Sequence, residues 1–170
     1  MIIWFSGMSG AGKSTIACEL EQRLKKSGYS VNWIDGDIFR KATSTPGSFT
    51  KEEILNNNYR IIEHCRDIVE KSDFLIVSVI SPYEQTRSFA RESFGSRYFE
   101  VFVECPIDEL IQRDTKGLYS KAINGQIDNL IGFSKKSVYE RPCDPEIVVN
   151  TLELSLDESV EVILKELNGQ

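Results

Sequence analysis

Gly7-Met8-Ser9-Gly10-Ala11-Gly12-Lys13-Ser14, set directly after the apolar run Ile2-Ile3-Trp4-Phe5, decides how this chain reads. It fits G-x-x-x-x-G-K-[ST], with a short strand before it and a helical pattern from residue 15 after it. Chemistry demands these residue types. Glycines at 7, 10 and 12 let consecutive backbone N–H groups turn inward and approach phosphate oxygens with no side chain between. Ser9, Ala11 and Thr15 complete the cradle, Lys13 reaches the β- and γ-phosphates, and the Ser14 hydroxyl is the expected Mg²⁺ ligand. The positive end of the following helix strengthens the anion site. The stretch predicts a nucleotide phosphate site.

Working outward, Ile16, Leu20 and Leu24 share one face of a helix over 15–26 that Gly28 stops. A second strand over 31–34 ends at Asp35-Gly36-Asp37, and 41–50 reads as a loop by composition. Helices are expected over 52–71, 84–93, 108–113 and 155–167. Strands are expected over 74–80, 99–103 and 147–152, the first of them of the fully buried kind. Between 114 and 139 the apolar period fails and glycines recur, as in a mobile lid or substrate loop. Strands alternating with helices imply an α/β fold in three layers, a central parallel sheet flanked by helices, with ligands outside the carboxyl ends of the strands. The 170 residues suit a single domain, 1–170, with its lid at about 114–139.

Composition excludes several classes. A net charge of −6 argues against nonspecific nucleic-acid binding, which needs a basic face. No apolar run reads as long enough to cross a bilayer, and no stretch before the phosphate loop reads as a signal peptide. Cys18, Cys65, Cys105 and Cys143 are widely spaced, without a C-x-x-C pair. They read as mostly buried thiols of a reducing cytoplasm rather than as zinc ligands or disulfides. Trp4 and Trp33, each in a strand, read as core, and His64 reads as a surface or half-buried residue.

The loop alone does not separate kinase, GTPase and motor ATPase. A guanine-reading N-K-x-D segment is absent, and the apolar strand at 74–80 runs into Ser81 rather than into an acidic residue. Asp35 and Asp37 supply the carboxylates instead. They could hold metal-bound water and accept a proton from an attacking hydroxyl; the plainer reading is an Asp-Gly turn with solvated carboxylates.

Five segments together resemble the adenylylsulfate kinase family, in its order and nearly its spacing. They are residues 7–15, Asp35-Gly36-Asp37-x-x-Arg40, Ile80-Ser81-Pro82-Tyr83, Arg113-Asp114-x-Lys116-Gly117-Leu118-Tyr119 and Tyr139-Glu140-x-Pro142-x-x-Pro145-Glu146. The resemblance implies a P-loop kinase that transfers the ATP γ-phosphate to a ribose 3′-hydroxyl, with ATP as co-substrate, and it leaves a homodimer open. It implies that Lys13 and Ser14 hold ATP phosphates and Mg²⁺, with Asp35 ordering the metal's waters. Asp37 would contact the 3′-hydroxyl, Arg40 the 5′-phosphate side of the acceptor, and Phe49 its base. Ser81, at a position described in the family as a phosphorylated intermediate, is expected to bind rather than carry phosphate. Lys116 would close on the transferring phosphoryl group, and Arg113 would lie beside the ATP adenine. Ile80, Gly117 and Leu118 fall at further acceptor-binding positions.

Departures from the family pattern cluster around the acceptor. Ile54 stands where the family usually has arginine, and Asn57-Asn58-Tyr59-Arg60 replaces an Asn-Ile-Arg-Arg stretch, so Asn57 and Arg60 remain. Leu130 stands in place of a lid aromatic that would sandwich adenine. Fewer arginines and less stacking surface point to a smaller base and a less anionic group. Cytidine diphosphoramidate, the acceptor in capsular phosphoramidate pathways, fits both, with adenylylsulfate as the alternative. A non-catalytic nucleotide-binding protein and a kinase of small alcohols are the competing classes.

Overall fold

The computed structural model describes residues 1–43 and 50–169, so Phe49 lies outside the described residues. In chain order the elements are β1 (Ile2–Ser6), α1 (Lys13–Lys26), β2 (Val31–Asp35), α2 (Gly36–Thr43), α3 (Lys51–Ile68), β3 (Phe74–Ser78) and α4 (Glu84–Phe94). They continue as β4 (Tyr98–Glu104), α5 (Ile107–Arg113), α6 (Leu118–Ile123), β5 (Ile147–Asn150) and α7 (Leu156–Asn168). The five strands form one parallel sheet in the order β2-β3-β1-β4-β5.

Strand β1 sits at the centre because every one of its residues is apolar or small, and all five are buried. A parallel strand covered on both faces needs such a run. Its alternation divides the core. Ile3 and Phe5 pack with Ile16, Leu20 and Leu24 of α1 and Val160 and Ile163 of α7. Ile2 and Trp4 pack on the other face with Ile61, Ile62 and Cys65 of α3 and Ala90 and Phe94 of α4. Each such fully buried side chain contributes about 1.5–3 kcal/mol relative to exposure. Thr50 and Ser155 begin α3 and α7 with reciprocal capping boxes to Glu53 and Glu158.

Several expectations are corrected. Strand β3 stops at Ser78, because Ser81 turns the chain with a φ of 45°. Residues 36–43, read partly as strand end and loop, are helical: Asp35 Oδ1 accepts from the N–H groups of Asp37 and Ile38 and so starts α2. The 114–139 segment contains α6, started by Asp114, whose carboxylate accepts from the N–H groups of Tyr119 and Ser120. Of the four cysteines, all free, only Cys65 is buried; Cys143 is exposed. Trp33 is only partly buried, since β2 is an edge strand; its indole N–H donates to Ser78 Oγ. His64, by contrast, is exposed beside Phe39, in line with its reading as a surface or half-buried residue. Among the described residues no helix is long and apolar enough to cross a membrane.

Candidate active site

Parallel pairing brings the carboxyl ends of β1, β2 and β3 to one edge: Phe5 and Asp35 both lie in register with Ser78. A cleft of about 210 Å³ opens there. Ser9, Gly10, Gly12, Lys13, Ser14 and Thr15 line it from the phosphate loop and the start of α1, and Asp35, Asp37 and Arg40 from the end of β2 and α2. Asn57 of α3, Ile80 and Ser81 after β3, and Lys116 complete the lining.

Gly7 turns out of β1 with a φ of 145°, and an added Cβ would stand 2.4 Å from the Val103 carbonyl oxygen, so no other residue fits. Gly12 adopts the left-handed region and leaves the first turn of α1 without a side-chain cap or an acidic residue. Those N–H groups face the cleft as an anion site. Gly7 and Ala11 are buried and shape the loop from beneath.

Lys13 folds back over the loop, its Nζ donating to the Gly7 and Met8 carbonyls at 2.8 Å each. Burial, and then the repulsion of Lys116, push its pKa down to about 7 despite the attraction of Asp37 and Asp35. Ser14 Oγ donates to Asp35 Oδ2 at 2.6 Å, and Ser78 Oγ donates to the same oxygen at 3.1 Å. Burial raises the Asp35 pKa, but hydrogen bonds from Ser14, Ile38, Asp37 and Ser78 outweigh it and hold the carboxyl below its usual range. Across the cleft, half-exposed Asp37 and Lys116 form an ion pair.

Among the described residues no three His, Cys, Asp or Glu side chains converge into a metal cage. The pairing of Ser14 with an ionised Asp35 instead offers hard oxygen donors beside the phosphate loop. That suits Mg²⁺, which keeps much of its water and takes few protein ligands.

Not every sequence candidate lines the cleft. Leu130 is buried in the core beside Tyr119, and its neighbour Ile131 faces the cleft instead. Arg60 is exposed on α3. Arg113 bonds Glu109 and Thr151, and Thr151 Oγ1 in turn donates to the Ala11 carbonyl, so Arg113 braces the phosphate loop from outside. Gly117 and Leu118 do not line the cleft; from the lid, Thr115, Lys116 and Ile131 do.

Sequence reasoning missed Asn58, Ser78, Thr115 and Ile131 in the lining. Asn58 was readable, since 54, 57, 58 and 61 share a helical face; the one-residue register of Leu130 and Ile131 had no local signal. Also missed was Tyr119, whose hydroxyl donates to the Ser9 carbonyl at 2.8 Å and ties α6 to the phosphate loop.

Three comparisons bear on this geometry. The family model described as adenylylsulphate kinase matches residues 1–150. The adenylyl-sulfate kinase of Clostridium kluyveri is 41% identical over 164 residues, covering 96% of this chain and 81% of that one. The probable adenylyl-sulfate kinase of Pyrococcus abyssi is 40% identical over 163 residues, covering 96% and 92%. Among solved structures, the Mycobacterium tuberculosis APS kinase CysC in complex with AMPPNP and APS superposes with a TM-score of 0.87. It is 30% identical, with 98% of this chain and 96% of that one covered. With its phosphate loop, its Asp37–Lys116 pair and these relatives together, the chain belongs to the adenylylsulfate kinase family and is a kinase that phosphorylates an alcohol.

Proposed function

We propose that the protein transfers the γ-phosphoryl group of ATP to the ribose 3′-hydroxyl of a nucleoside 5′-phosphate derivative. One observation carries this reading: Lys13, the Ser14–Asp35 pair and the Asp37–Lys116 pair converge on a single cleft. The phosphate-loop N–H groups and Lys13 bind the β- and γ-phosphates. Ser14 and, through water, Asp35 would hold Mg²⁺, which would neutralise charge on the phosphate oxygens. Asp37 accepts the acceptor's 3′-hydroxyl proton on its carboxylate. Lys116, released from Asp37 as the acceptor enters, stabilises charge on the transferring group. Arg40 takes the acceptor's 5′-phosphate. Asn57 Oδ1 and Ser81 Oγ, both buried without a protein partner, are oriented by the acceptor. The lid at about 114–139, Lys116 included, closes over both substrates.

Adenylylsulfate is the acceptor that the named relatives support, and with it the product would be 3′-phosphoadenylylsulfate. A second reading, cytidine diphosphoramidate, rests on a specific observation. Ile54 is 3% exposed and packs with Tyr83 and Ile131, which makes the wall beside Ser81 apolar where a sulfate would call for a cation.

ADP release with ATP and Mg²⁺, with Asp37→Asn as the blank, tests both. Turnover of either acceptor that falls roughly 100-fold or more in the blank supports the 3′-kinase reading, and the ratio of kcat/KM values chooses the acceptor. ATP binding with transfer to neither compound would sink it.

A further inference from the structure

The most deeply buried cation outside the phosphate loop, among the described residues, is Arg87 on α4, 1% exposed and bonded to the carbonyl of Ser81 in the acceptor wall. Its guanidinium acts as a fork. Nη1 donates to the Ser81 carbonyl at 2.7 Å, while Nη2 donates to the Glu140 carbonyl at 2.8 Å and to Glu84 Oε2 at 2.6 Å. Nε lies 3.5 Å from Oε1 of Glu100, itself 3% exposed on β4. That same Glu100 oxygen accepts from Ser6 Oγ at 2.9 Å, one residue before the phosphate loop.

The three elements joined here have different jobs. Ser81 lines the cleft and is, among the described residues, one of two non-glycine residues with positive φ, at 45°. A serine there is strained and persists only if its surroundings hold it. Glu140 lies just past the lid, and it is fastened a second and third time to the same wall: its N–H donates to the Pro82 carbonyl, and its Oε2 accepts from the Glu84 N–H at 2.7 Å. A buried arginine opposite one buried carboxylate is a poor device for stability alone, because desolvating both charges offsets their attraction. It does suit a joint that must keep several carbonyls in one geometry, which a planar five-donor group can do and an ammonium cannot.

We propose that Arg87 is a positioning residue that locks the acceptor wall to the returning end of the lid. It holds Ser81 in its left-handed conformation and keeps Glu140 against residues 82–84. Without the fork the wall relaxes, and acceptor binding suffers while ATP binding does not. This rests on the acceptor occupying the wall at Ser81, as proposed above.

Two variants test it. Arg87→Lys keeps a buried positive charge against Glu100 but loses the fork; Arg87→Met with Glu100→Gln removes both buried charges and leaves only the part-exposed Glu84 carboxylate, which water can solvate, without its arginine. Backbone hydrogen exchange at residues 83–87 and 139–141 needs no substrate. It should quicken at least 10-fold in both variants while exchange in β1 and α1 stays within twofold. With whichever acceptor the wild type turns over, the acceptor KM should rise at least 10-fold and the ATP KM should stay within twofold. Wild-type exchange rates at both segments in Arg87→Lys would overturn the proposal, as would exchange that quickens uniformly across the sheet, which marks plain destabilisation. Equal rises in both KM values would also overturn it. A wild type inactive on both acceptors would count against the 3′-kinase reading only, leaving the exchange result to decide this one.

Discussion

The two sides of the cleft are built in opposite ways. The phosphate side comes from one continuous segment, residues 7–15, and its polar groups already have partners: Lys13 donates to two carbonyls of its own loop, and Ser14 meets Asp35. The acceptor side is assembled from α2, α3, the turn after β3 and the lid. Its buried Asn57, Asn58 and Ser81 side-chain oxygens lack protein partners. A side made of backbone from one segment serves any nucleoside triphosphate. A side made of converging side chains can be retuned one residue at a time, which is where this chain departs from its family.

The sharpest break in that contrast is Lys13→Met. It should cut kcat by roughly 10²–10³-fold whichever acceptor is supplied, because the lost charge acts on the phosphoryl group itself. The same lysine gives a pH signature. Its pKa, lowered to about 7, lies below the unfolded lysine value. The free protein therefore carries a stability penalty that is full below pH 7 and relieved as pH rises toward about 10.5. Phosphates entering the loop favour the charged amine, so ATP binding at pH 8 should take up about one proton. Calorimetry in buffers of different ionisation enthalpy measures this, and Lys13→Met should abolish it.

Ile54→Arg sharpens the other half. A guanidinium on that wall should raise the kcat/KM ratio of adenylylsulfate over cytidine diphosphoramidate roughly 10-fold, read by competition between the two, with the ATP KM unchanged. No change in the ratio would mean that the wall at 54 does not meet the acceptor's anionic end.

The smallest effect joins the two sides. Tyr119→Phe removes the hydroxyl that holds α6 to the Ser9 carbonyl and should cost about 1 kcal/mol, a thermal shift of about 2–4 °C. Lid contacts with the phosphate loop would also loosen, so the kcat change should exceed any change in ATP affinity.

By itself the sequence determined the phosphate loop, the parallel α/β sheet and the family. All three are written locally: a glycine pattern at fixed offsets, continuous apolar strands, and motifs a few residues long. Most of the cleft was legible too, since Lys13, Ser14, Asp35, Asp37, Arg40, Asn57, Ser81 and Lys116 all line it. Only the tertiary structure decided that Asp35 both starts α2 and accepts from Ser14, and that Ile131 rather than Leu130 faces the cleft. It alone buried Arg87 beneath Ser81, against a carboxylate from another strand. Those outcomes depend on which side chains meet across the sheet and on the register of an aperiodic lid. Neither leaves a mark within one turn of helix or one strand, because the partners are brought together only when the core packs.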